Sequence, residues 1–174
     1  MPGVRLAELR QNRRMCVAGA KVVVNPWYRQ FYLQRGDAPW ASDQLSRAGI
    51  ERALEERGGF VYVGTSMYGN PVEVTLELHD QEPSPHEGAD RVTEVSLSGS
   101  GPLGILNWGD NEPRLVFELP EGPLRLRASF SGLAAADAHP DNDVSGEELS
   151  PERVLLQLWP GPPAEPAEIR AWAR

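Results

Sequence analysis

Residues 72 to 79 alternate strictly between apolar and polar side chains, and this pattern constrains the fold more than any other feature of the sequence. The apolar members are Val72, Val74, Leu76 and Leu78, and the polar members are Glu73, Thr75, Glu77 and His79. Successive side chains of a β-strand point to opposite faces, so a period of two buries one face and leaves the other in water. The segment is therefore predicted to be a half-buried strand.

A second region of alternation predicts a β-hairpin. Residues 115–119 and 124–130 alternate on either side of a Pro-Glu-Gly-Pro turn. Pairing the two residues that flank this turn places Glu118 opposite Arg125, a cross-strand contact of opposite charges worth roughly 0.2 to 1 kcal/mol. We expect the two strands to be antiparallel neighbours in this register.

Shorter apolar segments separated by turn residues extend the pattern along the chain. The sequence contains 17 Gly and 16 Pro, and turn signals spaced by about 8 to 12 residues are typical of a β-sandwich. Further strands are predicted at residues 21–24, 29–34, 60–64, 91–97, 103–107 and 154–159. One helix is predicted from Ser42 or Asp43 to Arg57, ending at Gly58-Gly59. The predicted fold class is mostly β, an antiparallel β-sandwich with one short helix.

Length and charge bound the domain organisation and the class of partner. The 174 residues are predicted to form one sandwich domain, residues 16–174, after a basic extension, residues 1–15, that is either helical or disordered. Residues 1–35 hold seven of the 17 basic and one of the 25 acidic residues, so the remainder has ten basic and 24 acidic groups, a net charge of −14. Such an acidic body repels phosphates and attracts basic proteins, so we expect a basic protein partner and no nucleic acid.

The sequence lacks the signals of a membrane or secreted protein. No segment approaches the roughly 18 to 20 consecutive apolar residues that a membrane-spanning helix needs. The basic start of the chain has no apolar segment of the kind found in a signal peptide. We therefore expect a cytoplasmic protein that does not contact a membrane.

Metal-ligating and nucleophilic residues are sparse. Cys16 is the only cysteine, which excludes an internal disulfide and a cysteine-based zinc site within one chain, and it is interpreted as a buried or incidental thiol. His79, His86 and His139 lack the spacing of a transition-metal site. No phosphate-binding glycine loop and no Gly-x-Ser-x-Gly motif occurs. We predict no metal, no cofactor and no catalytic residue, and hence a protein that is not an enzyme.

An acidic loop is the first candidate binding site. Residues 141–152 place oxygen ligands at positions one, three and five, Gly at six and Glu at twelve, as in a calcium loop, but the helices that flank such a loop are not predicted. A solvated loop and a loop with adventitious calcium both remain open. The carboxylates predicted to contact a partner are Asp137, Asp141, Asp143, Glu147 and Glu148.

An aromatic cluster is the second candidate binding site. Within fourteen residues the chain contains Trp27, Tyr28, Phe31, Tyr32 and Trp40. Aromatic side chains either fill a core or form an exposed recognition patch, which can also stack on sugar rings. The members predicted to contact a partner are Trp27, Tyr28 and Tyr32.

Three short motifs carry a family resemblance. Residues 30–33 (Gln-Phe-Tyr-Leu), 91–95 (Arg-Val-Thr-Glu-Val) and 119–126 (Leu-Pro-Glu-Gly-Pro-Leu-Arg-Leu) occur in this order, and in this they resemble the competence protein J family. Residues 156–160 (Leu-Gln-Leu-Trp-Pro) are similar to an ending found in uncharacterised actinobacterial proteins, and the use of 16 Arg against one Lys fits such a source. The resemblance implies a small acidic β-sandwich whose characterised relatives inhibit a DNA-entry nuclease.

The leading functional prediction is a non-enzymatic, inhibitor-like or immunity-like protein that neutralises a basic nuclease or toxin. Its carboxylates would lie where the enzyme expects phosphates, and long-range attraction would speed the encounter. The alternative is a lectin-like or calcium-dependent β-sandwich module. A homodimer is an open alternative for the assembly.

Overall fold

The computed structural model describes residues 16–140, 142 and 146–173, in which eleven strands form two sheets. The strands are β1 (Cys16–Val24), β2 (Gln30–Arg35), β3 (Leu54–Arg57), β4 (Phe60–Gly64), β5 (Val72–His79), β6 (Arg91–Leu97), β7 (Leu103–Asn107), β8 (Leu115–Phe117), β9 (Leu124–Ser131), β10 (Arg153–Pro160) and β11 (Ala167–Arg170). The α-helices are α1 (Arg47–Glu51) and α2 (Leu133–Asp137), and 3₁₀ turns occur at Trp27–Arg29 and Ser42–Gln44.

The two sheets share one apolar core. The six-stranded sheet has the order β1-β5-β10-β9-β6-β11, and the five-stranded sheet has the order β3-β4-β2-β7-β8. Neighbouring strands are antiparallel except β5 and β10, which are parallel. Apolar side chains of both sheets pack together between them. The prediction of a mostly β, antiparallel sandwich is confirmed.

Strand β5 shows the predicted alternation. Its side chains at Val72, Val74 and Leu76 are fully buried, while those of Glu73 and Thr75 are only partly covered. The buried face contributes to the core, as expected for a strand with one apolar face. The pattern of residues 72–79 therefore identified both the strand and its inner face.

The predicted helix of residues 42–57 is confirmed only for residues 47–51, because Ser42–Gln44 form a 3₁₀ turn and residues 54–57 form a strand. Helix α1 ends after Glu51, Ala53 adopts a left-handed conformation (φ 59°), and the chain then enters β3. Leu54 pairs with Val63 of β4 and is fully buried. Good helix formers thus lie in an edge strand, because pairing with β4 and burial of Leu54 outweigh a local preference that is worth less than about 1 kcal/mol per residue.

The predicted hairpin of residues 115–119 and 124–130 is also wrong. Strand β8 pairs with β7 in the five-stranded sheet, whereas β9 pairs with β6 and β10 in the six-stranded sheet. The Pro-Glu-Gly-Pro turn therefore carries the chain from one sheet to the other. Arg125 contacts Glu94 (3.3 Å), not Glu118.

Strand β9 lies in the middle of its sheet and is covered on both faces. Arg127 is only 1% exposed. Its guanidinium contacts Glu94 (2.6 Å) and Glu82 (2.9 Å), donates to the carbonyl of Pro83, and lies 4.8 Å from the ring centre of Trp159. The segment after β5 thus crosses the outer face of the six-stranded sheet. The polar residues that alternate along β9 form an ion-pair network inside the protein and do not face solvent.

A second, smaller core covers the outer face of the five-stranded sheet. Tyr32, Phe60 and Tyr62 point away from the main core and pack with Ala41 from the segment after β2. The rings of Tyr32 and Phe60 lie 5.1 Å apart, and Trp40 closes the group at 4.7 Å from Tyr32. Tyr32 and Trp40 of the aromatic cluster therefore pack against other side chains of the protein.

Among the described residues, no helix is long and apolar enough to cross a membrane.

Replacing Arg127 with Ala should lower the free energy of unfolding by about 3 kcal/mol, because removal of one partner leaves the buried Glu94 carboxylate with less compensation. Urea denaturation measures the change. The matched control is Arg47→Ala, which breaks an exposed pair with Glu51 (2.7 Å) on α1 and should leave stability nearly unchanged. Equal effects of the two substitutions would contradict the buried network.

Candidate functional site

Several loops meet at one end of the sandwich, which we call the loop end. The first residue of β2, Gln30, pairs with Gly64 at the end of β4, and Phe31 pairs with Asn107 at the end of β7. The residues before β2, after β4 and after β7 are therefore neighbours. The loop end comprises residues 25–29, 65–71, 108–114 and the described residues between 132 and 152.

Hydrogen bonds attach the acidic loop to the loop after β4. The N–H of Gly146 donates to Asn70 Oδ1 (2.9 Å), and the N–H of Ser150 donates to the carbonyl of Pro71 (2.7 Å). Arg29 donates to Asn142 Oδ1 (3.0 Å) and to the carbonyl of Ser66. The structure therefore brings together the two regions that the sequence analysis had considered separately.

Four aromatic rings form a contiguous aromatic patch on the loop end: Trp27, Tyr28, Tyr68 and Trp108. Tyr68 lies 5.9 Å from Trp27 and 5.6 Å from Tyr28, and Tyr28 lies 4.8 Å from Trp108, all edge to face. Tyr28 is 56% exposed and Trp108 is 46% exposed. Aromatic rings in edge-to-face contact support one another while they keep surface available for a partner.

A strained backbone presents the centre of this patch. Tyr28 (φ 56°) and Arg29 (φ 61°) are consecutive non-glycine residues in the left-handed region. Each such residue costs of order 1 to 3 kcal/mol and persists only where its surroundings hold it. The hydrogen bonds of the Arg29 side chain to Ser66 and Asn142 supply that support. In this left-handed backbone conformation, the Tyr28 ring lies between the rings of Tyr68 and Trp108.

The predicted contact residues have different positions in the structure. Trp27 and Tyr28 belong to the aromatic patch, and Asp137, Glu147 and Glu148 are exposed on the loop end. Asp141 and Asp143 lie outside the described residues.

Tyr32 is the exception among the predicted contact residues. Its ring is 1% exposed, so a direct contact between this side chain and a partner is not compatible with the structure. The physical reason is the second core, in which residues after β2 fold back over the sheet and cover the ring.

A cleft of about 530 Å³ lies beside the aromatic patch, with Arg29, Tyr62, Arg91, Glu152 and Trp172 in its lining. Glu152 is fully buried, and its carboxylate accepts the N–H groups of Ser66 (2.9 Å) and Met67 (3.1 Å). Burial raises the pKa of Glu152 to about 7, although these two hydrogen bonds oppose the rise. The carboxylate fixes the first residues of the loop that carries Tyr68.

A second cleft, of about 550 Å³, borders the aromatic patch at Trp108. Its walls include Trp40 and Trp108, with Gln34, Asp110 and Asn111 as polar groups. Aromatic walls with a few amide and carboxylate groups are typical of small-ligand clefts. Trp108 therefore belongs both to the aromatic patch and to the wall of this cleft.

One group of potential metal ligands occurs in the part of the chain that the structure describes, and it lies away from the loop end. Donor atoms of Cys16, Glu77 and His79 lie within 4.8 Å of one another. The Cys16 side chain is exposed, and partial burial, with a smaller contribution from Glu77, raises the pKa of its thiol.

Two members of the aromatic patch were missed by the sequence analysis. Tyr68 and Trp108 are single aromatic residues in segments rich in Gly, Ser and Asn, far from Trp27 in sequence. Only the pairing of β2 with β4 and β7 brings them together. The one available signal was their position after predicted strands: Trp108 directly follows residues 103–107, and Tyr68 lies four residues after residues 60–64.

Comparison with known proteins identifies the fold. No family model and no curated protein matches the sequence. Solved structures that share the fold include ComJ, inhibitor of the DNA degrading activity of NucA, from Bacillus subtilis, with a TM-score of 0.58 and 12% identity over 83% of this chain and 96% of that chain. They also include the crocagin biosynthetic gene J product, with a TM-score of 0.53 and 18% identity over 82% of this chain and 97% of that chain. The resemblance to the competence protein J family is confirmed at the level of the fold.

Replacing Glu152 with Gln should flatten the pH dependence of stability. Because folding raises the pKa of this carboxyl from 4.5 to about 7, its contribution is fully present below about pH 4.5 and is lost as the pH rises through about 7. Between about pH 5 and about pH 8, the free energy of unfolding should fall by about 2.5 kcal/mol more in the wild type than in Glu152→Gln.

Urea denaturation at the two pH values provides the measurement. The matched control is Glu165→Gln, an exposed position at the other end of the sandwich, which should keep the wild-type slope. Identical slopes in the wild type and Glu152→Gln would rule out a buried carboxyl that is protonated near neutrality.

Proposed function

We propose that this protein is a non-enzymatic inhibitor that binds a basic nuclease through its loop end. The observation that carries the proposal is the shared fold with ComJ, which inhibits the DNA degrading activity of NucA and is matched over almost its whole length. The exposed aromatic patch and the exposed carboxylates of the loop end support the same role. A basic toxin is a partner of the same chemical class.

Charge supports this class of partner. The chain beyond residue 35 has a net charge of −14, and the cleft of a nuclease is basic because it binds phosphates. The carboxylates predicted from the sequence to contact a partner would take the place of those phosphates: Asp137, Asp141, Asp143, Glu147 and Glu148. Attraction between the two surfaces would increase the association rate most at low salt.

The aromatic patch supports a specific contact at the centre of that surface. Trp and Tyr are enriched among the residues that dominate binding energy, and they lie in the middle of interfaces with polar residues at the rim. Trp27, Tyr28 and Trp108 are exposed, and Glu147 and Glu148 are on the adjoining loop. One surface thus offers both carboxylates that attract a basic partner at long range and aromatic rings that can be buried against it.

A second candidate function is sugar binding, as in a lectin-like module. The cleft between Trp40 and Trp108 has aromatic walls and amide and carboxylate groups, which suits stacking on sugar rings. In that case a glycan would quench the fluorescence of both tryptophans and bind with little dependence on salt, whereas a basic nuclease would bind with strong dependence on salt.

The charge component is tested with the product of the gene adjacent to the one that encodes this protein. Binding and inhibition of DNA cleavage are measured at about 0.05 M and about 0.5 M NaCl. Substitution of Glu147 and Glu148 by Lys should reduce the association rate at low salt by about tenfold or more, with a smaller effect at high salt. Glu165→Lys, which changes an exposed acid at the opposite end, is the matched control. No complex at either salt concentration would remove the proposal.

The anchoring component is tested separately. Trp108→Ala should weaken binding by about 30-fold, mainly through faster dissociation, as expected for an anchor worth about 2 kcal/mol. The matched control is Val116→Ala, which removes an exposed apolar side chain from β8. Equal, small effects of both substitutions would place the contact surface elsewhere.

A further inference from the structure

The pairing of β1 with β5 brings together three side chains at the end of the sandwich opposite the loop end. Cys16, the first residue of β1, pairs with His79, the last residue of β5. Glu77 precedes His79 by two residues, so the two side chains share a face of the strand. An irregularity between Cys16 and Ala18 shifts the register at this point.

The local backbone leaves space for the thiol above β5. Glu77 pairs with Gly19, which has no side chain. A Cβ at Gly19 would lie 4.0 Å from Cys16 Sγ, so the thiol lies over this glycine. Donor atoms of Cys16, Glu77 and His79 lie within 4.8 Å of one another. A tetrahedral zinc ion needs its donor atoms about 3.5 Å apart, a distance that small side-chain movements provide.

The hydrogen bonds of His79 are incomplete among the described residues. His79 is 6% exposed, its Nε2 lies 2.8 Å from Glu77 Oε2, and its Nδ1 is buried without a partner. With the proton on Nε2, the Nδ1 lone pair has no donor. With the proton on Nδ1, that N–H has no acceptor and the Nε2 lone pair faces a carboxylate oxygen. Neither tautomer satisfies both nitrogens, although buried polar groups are normally paired.

A neighbouring side chain shows the same deficiency. Gln157 lies next to Glu77 on β10, and its Nε2 is 3.0 Å from Glu77 Oε2 and 3.5 Å from His79 Nε2. Its Oε1 is buried without a partner in the described part of the chain. Two side chains that contact the Glu77 carboxylate thus each keep a buried polar atom without a partner in the described part of the chain, which indicates that this corner of the sheet accommodates a further group.

We propose that Cys16, Glu77 and His79 bind a divalent transition-metal ion of the zinc type. Thiolate, carboxylate and imidazole are the three ligand classes that proteins use for zinc. With the proton on Nδ1, coordination by His79 Nε2 would replace the contact between its lone pair and the Glu77 carboxylate. A fourth position stays open to water or to an oxygen ligand such as Gln157. The ion would join the start of β1 to the end of β5.

Cobalt provides a direct probe of the thiolate. The full-length, tag-free protein is treated with a chelator, freed of it, and titrated with Co²⁺ and then Zn²⁺. We expect one equivalent of Co²⁺ to produce thiolate-to-cobalt charge-transfer absorption, Zn²⁺ to abolish it, and Zn²⁺ to raise the melting temperature. Cys16→Ser should lose the absorption and bind at least about tenfold more weakly.

The matched control removes a histidine outside the group. His86→Asn changes an exposed loop position and should bind Co²⁺ as the wild type does. Because His79 is buried, Glu77→Gln serves as the second ligand variant, and Zn²⁺ should slow alkylation of Cys16 in the wild type but not in Glu77→Gln. Binding without sulfur charge transfer, equal affinity in Cys16→Ser, or affinity weaker than about 0.1 mM would overturn the proposal.

Discussion

The buried carboxylate of Glu152 is the interaction on which the loop end depends. The chain crosses from the five-stranded to the six-stranded sheet at residues 65–71, where its backbone leaves the ladder of β4 and needs new hydrogen-bond partners. Glu152 accepts the N–H groups of Ser66 and Met67 and is itself fully enclosed. The position of Tyr68, and through it the arrangement of the aromatic patch, follows from this one side chain.

A strand could be predicted from its alternation where one of its faces is buried and the other is exposed or only partly covered. Strand β5 has such a face, and its alternation located it correctly. Strand β9 is buried on both faces, so the same kind of alternation was misinterpreted. Arg125, predicted to face Glu118, pairs with Glu94 inside the protein, as does Arg127. The helix predicted up to Arg57 was wrong for a different reason. Residues 54–57 pair with β4, and this pairing outweighs their helical preference.

The candidate site was predictable only in part because long-range pairing assembles it. Trp27 and Tyr28 were identified because they are close in sequence, whereas Tyr68 and Trp108 join them through the neighbours of β2. The proposed metal ligands show the same limit, because the sequence argument from one cysteine considered only cysteine-based zinc sites and not a mixed ligand set. Cys16 and His79 are distant in sequence and adjacent only in the register of β1 and β5.

The parallel pairing of β5 with β10 has a consequence for the order in which the molecule forms. Strand β10 lies between β5 and β9, so the six-stranded sheet lacks its middle until residue 160 has been synthesised. A nascent chain that has already emerged through β9 would expose the unpaired edges of β5 and β9, which are templates for association with other chains. Insertion of β10 covers both of these edges at once, so the sheet is closed to such association only after its last long strand has been made.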